Sequence, residues 1–379
     1  MDFGMPTLIE YDSIEENAQL CRKLGLRFLE LNMNLPFCQT FSDKYIVRLN
    51  KISEENGIYF TLHLDENADF CNFNPVIKSG WQQVLRETLS AAAELKIPLV
   101  NMHLNRGVWF TLPDKKVFLY EKYAAHYNSS LSELRDICAE FSGKTKVSIE
   151  NTNGFKAFEV AIIEQLITEK NIGLTWDIGH CEAAVNIDEK FMLKNVENLY
   201  HMHVHDALER KDHLPLGKGR INLHERLKTA EKAGCRCVVE VKTSDALCDS
   251  VHWLKENKYM KRGEFMAKYE VTLKGTCQEV LSVVEDAVSN SVSATCEDSS
   301  DYCVGDVKCA VRVYERYSWS GSNRVSLSVT VLEHEGEVFL TAITSGGSQA
   351  MFFKMNTIGE EAFLGEISAA IENYMSGKD

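Results

Sequence analysis

The chain has 379 residues, 45% hydrophobic and 25% charged, enough for one large and one small globular domain; this excludes full-length disorder. Its 41 Lys and Arg against 55 Asp and Glu leave a formal charge of -14 at pH 7, which repels phosphate backbones and anionic membranes and disfavours nucleic acid as a partner. The N-terminus, MDFGMPTLIEYDSIEEN, has no basic region followed by an apolar run, no stretch approaches roughly 18 uninterrupted apolar residues, and the twelve Cys are scattered without a CxxC pair, so the expectation is a soluble, cytoplasmic protein with reduced thiols and no membrane partner.

From the N-terminus to residue 258, short apolar or β-branched runs alternate with stretches of helical period. The candidate strands are TLIEY, RFLELNMN, YFTLHLD, LVNMHLN, KVSIENTN, IGLTWDIGH, LYHMHVHD and CRCVVEVK, each followed by a segment such as SGWQQVLRETLSAAAELK or NLHERLKTAEKAG, several of which stop at Gly. Eight βα units without a Gly-rich first turn predict a closed (β/α)8 TIM barrel over residues 1–258 rather than an open doubly wound sheet. A charged break over 259–265 reads as a linker. Residues 266–379 then change texture, with one strand (KYEVTLK), one helix (CQEVLSVVEDAVSN), three long alternating runs and a final helix (GEEAFLGEISAAIENYM). Turns at SGSN and HEGE make the alternating runs hairpins, so this part is expected to be a small α+β domain with an antiparallel sheet and two helices on one face. Residues 1–260 carry 31 basic and 37 acidic side chains and the remainder 10 and 18, so the tail is the more acidic part.

Ten of the 11 His precede residue 260, and several recur at one structural position, late in a strand. Apolar neighbours flank His63, His103 and His203; Ile149 precedes Glu150, Trp176 precedes Asp177, and Val239 and Val241 flank Glu240. Period-2 alternation separates these polar residues from their apolar neighbours, and the outer face of a barrel must be apolar because helices cover it. The polar set therefore points inward near the C-terminal mouth, one residue from each of strands three to eight. Three imidazoles and three carboxylates meeting in a low-dielectric interior need a compensating charge, which a divalent metal supplies. Mixed His and carboxylate donors suit Zn, Mn or Co and do not suit a thiolate site.

Further groups follow these strands. His180 lies three residues beyond Asp177, and HMHVHDALERKDHLPLGKGRI brings His205, Asp206, Asp212, His213 and Lys218 onto the seventh loop. His201 falls deeper in the barrel, the place of a core histidine. Lys218 and Arg106 are candidates for a substrate phosphate or carboxylate, and solvated loop residues fit them equally. Trp109, Phe110 and Trp81 could wall a substrate pocket or serve helix packing, and His126, His224 and His252 fall in helical segments.

The motifs SIENTNG, WDIGH, HVHD followed by DHLPLGKGRI, and VVEVK resemble the xylose isomerase-like barrel superfamily, which contains sugar phosphate isomerases and epimerases and the metal-dependent endonuclease IV family. The resemblance covers about two thirds of the chain. It implies that Glu150, Asp177, His203 and Glu240 form the four-ligand metal site of the isomerases and epimerases, with His180 contacting substrate as in the epimerases or a further metal as in the nucleases. His63, His103 and His213 match further ligand positions of the multi-zinc nucleases. The match departs at Lys211, where the nuclease pattern has an acidic ligand; Asp212 stands one residue away and is expected to project to the opposite side of an extended segment.

This resemblance implies a metal-dependent sugar or sugar-phosphate isomerase or epimerase, acting on a small-molecule substrate by proton transfer through a metal-stabilised enediolate. Glu150 and Glu240, on nearly opposite strands, would remove and return the proton, and His180 would position a hydroxyl. His205 is an alternative base or a substrate contact. The alternatives are an endonuclease IV-like phosphodiester hydrolase, opposed by Lys211 and the net charge, and a non-catalytic metabolite-binding barrel. A homo-oligomer is compatible with either domain. The tail, through MAKYEVTLKG, GGSQAMFFK and GEEAFL, resembles a small bacterial domain family of unknown function, which makes it an appended regulatory, binding or oligomerisation module. Backbone amides of TSGGSQA could hold an anion, and a plain loop fits that stretch as well.

Overall fold

The computed structural model describes residues 1–39, 41–152, 154–260, 268–289, 294–318, 323–347 and 356–376. The chain forms two compact units, Met1–Lys261 and Arg262–Asp379. In the first, β1 (Phe3–Pro6), β2 (Phe28–Asn32), β3 (Tyr59–His63), β4 (Leu99–His103), β5 (Lys146–Glu150), β6 (Ile172–Asp177), β7 (Leu199–Val204) and β8 (Arg236–Val239) pair in parallel, each with its sequence neighbours. The ring closes where Phe3 and Gly4 of β1 meet Cys237 and Val238 of β8. Helices α1 (Ile14–Leu24), α2 (Asp43–Asn56), α3 (Pro75–Glu94), α4 (Ala124–Ala139), α5 (Ala157–Leu166), α6 (Ile178–Ala183), α7 (Leu223–Ala233) and α8 (Ser244–Glu256) follow the strands.

Local chemistry sets the ends of these helices. Ser13, Ser42, Asn74, Asn222 and Thr243 cap N-termini with side-chain oxygens, and Gly25, Gly57 and Gly234 stop α1, α2 and α7 in the left-handed conformation. Alternation places Leu29, Leu31, Leu62, Met102, Ile149, Trp176, Met202 and Val204 in the apolar core of the unit. The twelve cysteines are free.

The first strand is FGMP and not TLIEY. The Thr7 amide and hydroxyl both bond the Glu30 carbonyl, the Asn17 side chain takes the Leu8 amide, and Ile9 is 78% exposed, so the chain is already leaving the barrel there. Gly4 and Pro6 hide β1 from strand propensity, yet Gly4 is required: a Cβ at this position would lie 2.5 Å from the Phe28 ring.

The second unit contains β9 (Lys268–Lys274), α9 (Cys277–Ser289), β10 (Ala294–Val304), β11 (Val307–Ser318), β12 (Asn323–His334), β13 (Glu337–Gly347) and α10 (Asn356–Ser376). The strands form an antiparallel sheet in the order β9-β13-β12-β11-β10. Val280, Leu281 and Val284 of α9 and Phe363, Ile367 and Ile371 of α10 share one core with Tyr314, Leu327, Val329, Val331, Leu340 and Ala342, so both helices cover the same sheet face. At HEGE, Glu335 and Gly336 take positive φ between the paired His334 and Glu337, the two-residue hairpin geometry. The sheet has one strand more than the pattern predicts: β10, ATCEDSSDYCV, is a polar edge strand, nearly all exposed and bulged between Cys296 and Asp298, so no alternation marks it. Most of the linker stretch (261–265) and of the SGSN turn (320–322) lies outside the described residues, as do the last three residues (348–350) of the anion-loop candidate, whose first four end β13.

Candidate metal centre

Because neighbouring strands are in register, the inward set can be followed around the ring. Asn101 pairs with Ser148, His103 with Glu150, Asp177 with His203, and His203 with Val238. One oxygen or nitrogen from each of Glu150, Asp177, His203 and Glu240 falls within 4.8 Å of the others. His203 is the hub: its Nδ1 lies 3.0 Å from Glu240 Oε2, 3.4 Å from Glu150 Oε1 and 3.9 Å from Asp177 Oδ2. Glu150 faces two ways, since its Oε2 lies 3.3 Å from the Nε2 of both His63 and His103. All six residues predicted from strands three to eight are thus brought together. Glu150, Asp177 and His203 are fully enclosed, while His103, His180, His213 and Glu240 keep 12–20% of their side-chain surface, which places the opening on the side of the strand ends and following loops.

Electrostatics in this enclosure are tightly balanced. Burial pushes the Glu150 carboxyl up, but His203 and His103 outweigh it and hold the group well below the usual carboxylate range. Glu240 is held low in the same way, by His203 and His213 against burial. Burial alone would lower His63; the Glu150 and Glu30 carboxylates outweigh it and hold the imidazole up at about 9. His203 is likewise well above its ordinary value because Glu150, Glu240 and Glu30 outweigh burial.

Short distances here are not hydrogen bonds. Both ring nitrogens of His203, His103 Nε2, His180 Nδ1, His213 Nε2 and Glu240 Oε2 are buried without a hydrogen-bond partner. A buried polar atom left in that state costs about 1–3 kcal/mol, and several around one point are a donor set that a cation would satisfy. The donors are imidazole nitrogens and carboxylate oxygens, with no thiolate among them, so they fit a divalent metal of the Zn, Mn or Co kind.

The residues beside the cluster are positioned by backbone features. Asp177 caps α6, its Oδ1 accepting the His180 amide at 2.6 Å, and the Asn151 side chain bonds the Asp177 amide and carbonyl, fixing the end of β6. His205 is fully buried: its Nδ1 accepts the His213 amide at 2.7 Å, so Nε2 carries the proton donated to Asp177 at 3.1 Å. Both nitrogens are engaged, which removes His205 as a free base and makes it a support for Asp177. Gly179 makes room for this ring, since a Cβ there would lie 2.0 Å from His205 Cε1.

Asp212 overturns the expectation that it projects away from the cluster. His213 takes φ +53, breaking the alternation, and Asp212 then reaches both His213 Nδ1 at 3.0 Å and His180 Nε2 at 3.7 Å. Nitrogens of His180, His205 and His213 lie within 4.8 Å of one another beside this cluster, those of His205 being taken by the His213 amide and Asp177. Arg106 is held by Glu159 at 3.1 Å and by the Gly154 carbonyl at 2.6 Å, the role of a loop anchor. Lys218 is exposed and makes no ion pair among the described residues. Trp109 and Phe110 stand exposed on a hairpin after β4, whereas Trp81 lines a groove between α2 and α3 with Phe41 and Ile46, outside the barrel mouth. His126 bonds the Cys71 carbonyl, His224 the Tyr259 hydroxyl, and His252 pairs with Glu256, all packing or surface roles.

Two contributors escape the sequence reading. Asn101 donates its side-chain amide to Glu150 Oε2 and is itself held by Ser148, which Thr175 holds in turn. Glu30 sits below the cluster, with Oε1 2.9 Å from His203 Nε2 and Oε2 3.0 Å from His201 Nε2. The signal for Glu30 was present: in FLELN it obeys the same alternation as the six, one strand earlier.

The family described as xylose isomerase-like TIM barrel matches residues 18–262, and a family of unknown function (DUF6054) matches residues 266–375. An uncharacterized protein of Methanocaldococcus jannaschii is 28% identical over 216 residues, spanning 54% of this chain and 80% of its own length. A D-tagatose 3-epimerase-like protein superposes with a TM-score of 0.56 at 23% identity, over 68% of this chain and 97% of the other. The IolI protein, whose crystal structure carries a zinc atom, superposes with a TM-score of 0.54 at 16% identity, over 69% of this chain and all of its own. At these identities the structural likeness is one of fold. Among the described residues no helix is long and apolar enough to cross a membrane.

Proposed function

The chain belongs to the xylose isomerase-like TIM-barrel family, and from that premise we propose that it is a metal-dependent sugar or sugar-phosphate isomerase or epimerase. The observation that carries this reading is the gathering of two carboxylates, Glu150 and Glu240, at 3.4 and 3.0 Å from one imidazole nitrogen of His203. The epimerase-like fold of the D-tagatose 3-epimerase-like protein and the zinc of IolI support it.

Glu150, Asp177, His203 and Glu240 would hold the divalent cation. When bound it supplies a Lewis acid that polarises a carbonyl and a neighbouring hydroxyl, so that the hydrogen on the carbon between becomes acidic. Glu150 and Glu240 are both ionised and can each accept that proton; taken by one and returned by the other on the opposite face, it inverts the carbon. His180, partly exposed beside Asp177, would hold a substrate hydroxyl. Asn101 and His205 keep the Glu150 and Asp177 carboxylates aimed.

The test is solvent exchange. Ketoses and their phosphates, incubated in deuterium oxide with the protein and added Mn, Co or Zn, are expected to gain deuterium at a carbon next to the carbonyl. Glu150→Gln and Glu240→Gln should each abolish that exchange with the fold intact; normal exchange in both variants defeats the base and acid assignment.

A second reading, a metal-dependent phosphodiester hydrolase, is favoured by one observation. Glu150 Oε2 lies 3.3 Å from His63 and His103 while Oε1 lies 3.4 Å from His203, so Glu150 would be shared between two donor groups, and His180, Asp212 and His213 would make a third. A bridging Glu150 would not be free to act as a base. Lys211 and the net charge of -14 oppose a nucleic-acid substrate. One cation per chain supports the first reading and two or three support the second.

A further inference from the structure

We propose that Glu30 is a positioning residue for the cation site, fixing the tautomer of His203 so that Nδ1, and not Nε2, is the ring atom offered to the cation. The proposal rests on the reading of Glu150, Asp177, His203 and Glu240 as a cation site and is independent of the reaction that site serves.

Glu30 is 2% exposed and has no route to a substrate. Its Oε1 lies 2.9 Å from His203 Nε2, and its Oε2 accepts the Thr61 hydroxyl at 2.9 Å and faces His201 Nε2 at 3.0 Å. An ionised carboxylate only accepts, so at 2.9 Å it favours the ring proton on Nε2, although the two atoms are not aligned as a hydrogen bond in the cation-free protein. With a cation bound the imidazole is neutral and keeps one such proton, which leaves the Nδ1 lone pair to the cation. Nδ1 is the ring atom turned to the other donors, the carboxylates of Glu240, Glu150 and Asp177, at 3.0 to 3.9 Å. Three carboxylates gathered on one buried nitrogen need a positive charge among them, which a cation held by all four residues would supply.

The fold provides for this contact across the ring. Glu30 is on β2 and His203 on β7, with β1 and β8 between them. Those strands contribute Gly4 and Val238, in register with one another and, for Val238, with His203; Gly4 leaves room for the ring of Phe28, two residues before Glu30. Thr61, directly across from Glu30 on β3, and His201, two residues below His203, fix the second oxygen, so the carboxylate cannot swing away. His201, buried beside Glu30, thereby has a function: it orients the carboxylate.

The test is cation affinity of the full-length protein near neutral pH, measured by competition with a chromophoric chelator for Zn and Co. Glu30→Gln keeps the volume and removes the charge; affinity is expected to fall about 10- to 100-fold, with an altered visible spectrum of the Co-loaded protein. Wild-type binding with an equally tight variant and an unchanged spectrum overturns the proposal alone. A folded wild-type protein that binds no cation overturns the cation-site reading and the proposal with it. Should the variant not fold, nitrogen-15 histidine NMR of the Zn-loaded wild type decides: a proton on His203 Nε2 with Nδ1 on the metal is expected, and the reverse assignment overturns the proposal.

Discussion

The barrel interior and the C-terminal sheet both follow period-2 alternation, yet they fill their inner faces with different chemistry. Strands β5 to β7 turn Ser148, Glu150, Thr175, Asp177, His201 and His203 inward, all buried, whereas β11 to β13 turn Tyr314, Leu327, Val329, Val331, Leu340 and Ala342 against two helices. Among the described residues Thr344 is the one polar side chain the second unit buries. Hydrocarbon packing is the inexpensive way to fill an interior, and an interior crowded with imidazoles and carboxylates persists only where a charge completes it. The difference sets an interior of titratable groups in the first unit against a packed hydrocarbon core in the second.

That contrast can be broken or sharpened by substitution. The largest effect is expected at Glu150: Glu150→Gln should lower the rate of carbon-bound proton exchange by about 10²- to 10⁴-fold while circular dichroism stays that of the wild type. Leu340→Ala, in the second unit, should do the reverse, costing about 2–5 kcal/mol in denaturant unfolding of that unit and leaving the cation content of the chain unchanged. A loss of cation in Leu340→Ala would show that the two units do not divide structure and chemistry in this way. Gly179→Ala is expected to displace His205 and weaken cation binding about tenfold, by way of Asp177, as read by chelator competition.

The smallest expected effect is on pH dependence. In the cation-free protein burial lowers His63 but Glu150 and Glu30 outweigh it and hold the group up at about 9. Its contribution to stability is therefore complete below the unfolded imidazole value of about 6.5 and lost as pH rises through the folded value. Glu150, held low, contributes in the opposite sense and loses its contribution only in acid. Melting temperatures in the presence of a chelator should decline between neutral pH and pH above 9, and saturating Zn should flatten that decline; a flat profile with chelator contradicts the balance described for His63.

Alternation made the six inward residues of strands three to eight legible, because a one-residue shift would place charges under the helices. It carried the barrel and the cluster together. The same rule reached Glu30, but a lone carboxylate on the second strand has no visible partner until the ring closes and brings His203 to it. Asp212 was illegible for a different reason: the left-handed backbone at His213 is a local exception that residue spacing does not encode. The role of His205 depends on the His213 amide reaching its Nδ1, a contact across eight residues of loop. The first strand and β10 escaped because glycine and proline fill one and polar edge residues the other, so neither carries an apolar signal.

The central claim is that Glu150, Asp177, His203 and Glu240 hold a divalent cation at the mouth of the barrel. Equilibrium dialysis of the full-length protein against Mn or Zn, with elemental analysis, tests it most directly. The account predicts at least one tightly held ion per chain in the wild type and its loss in a folded Asp177→Asn variant; a folded wild-type protein that retains none, or a variant that retains all, would contradict it.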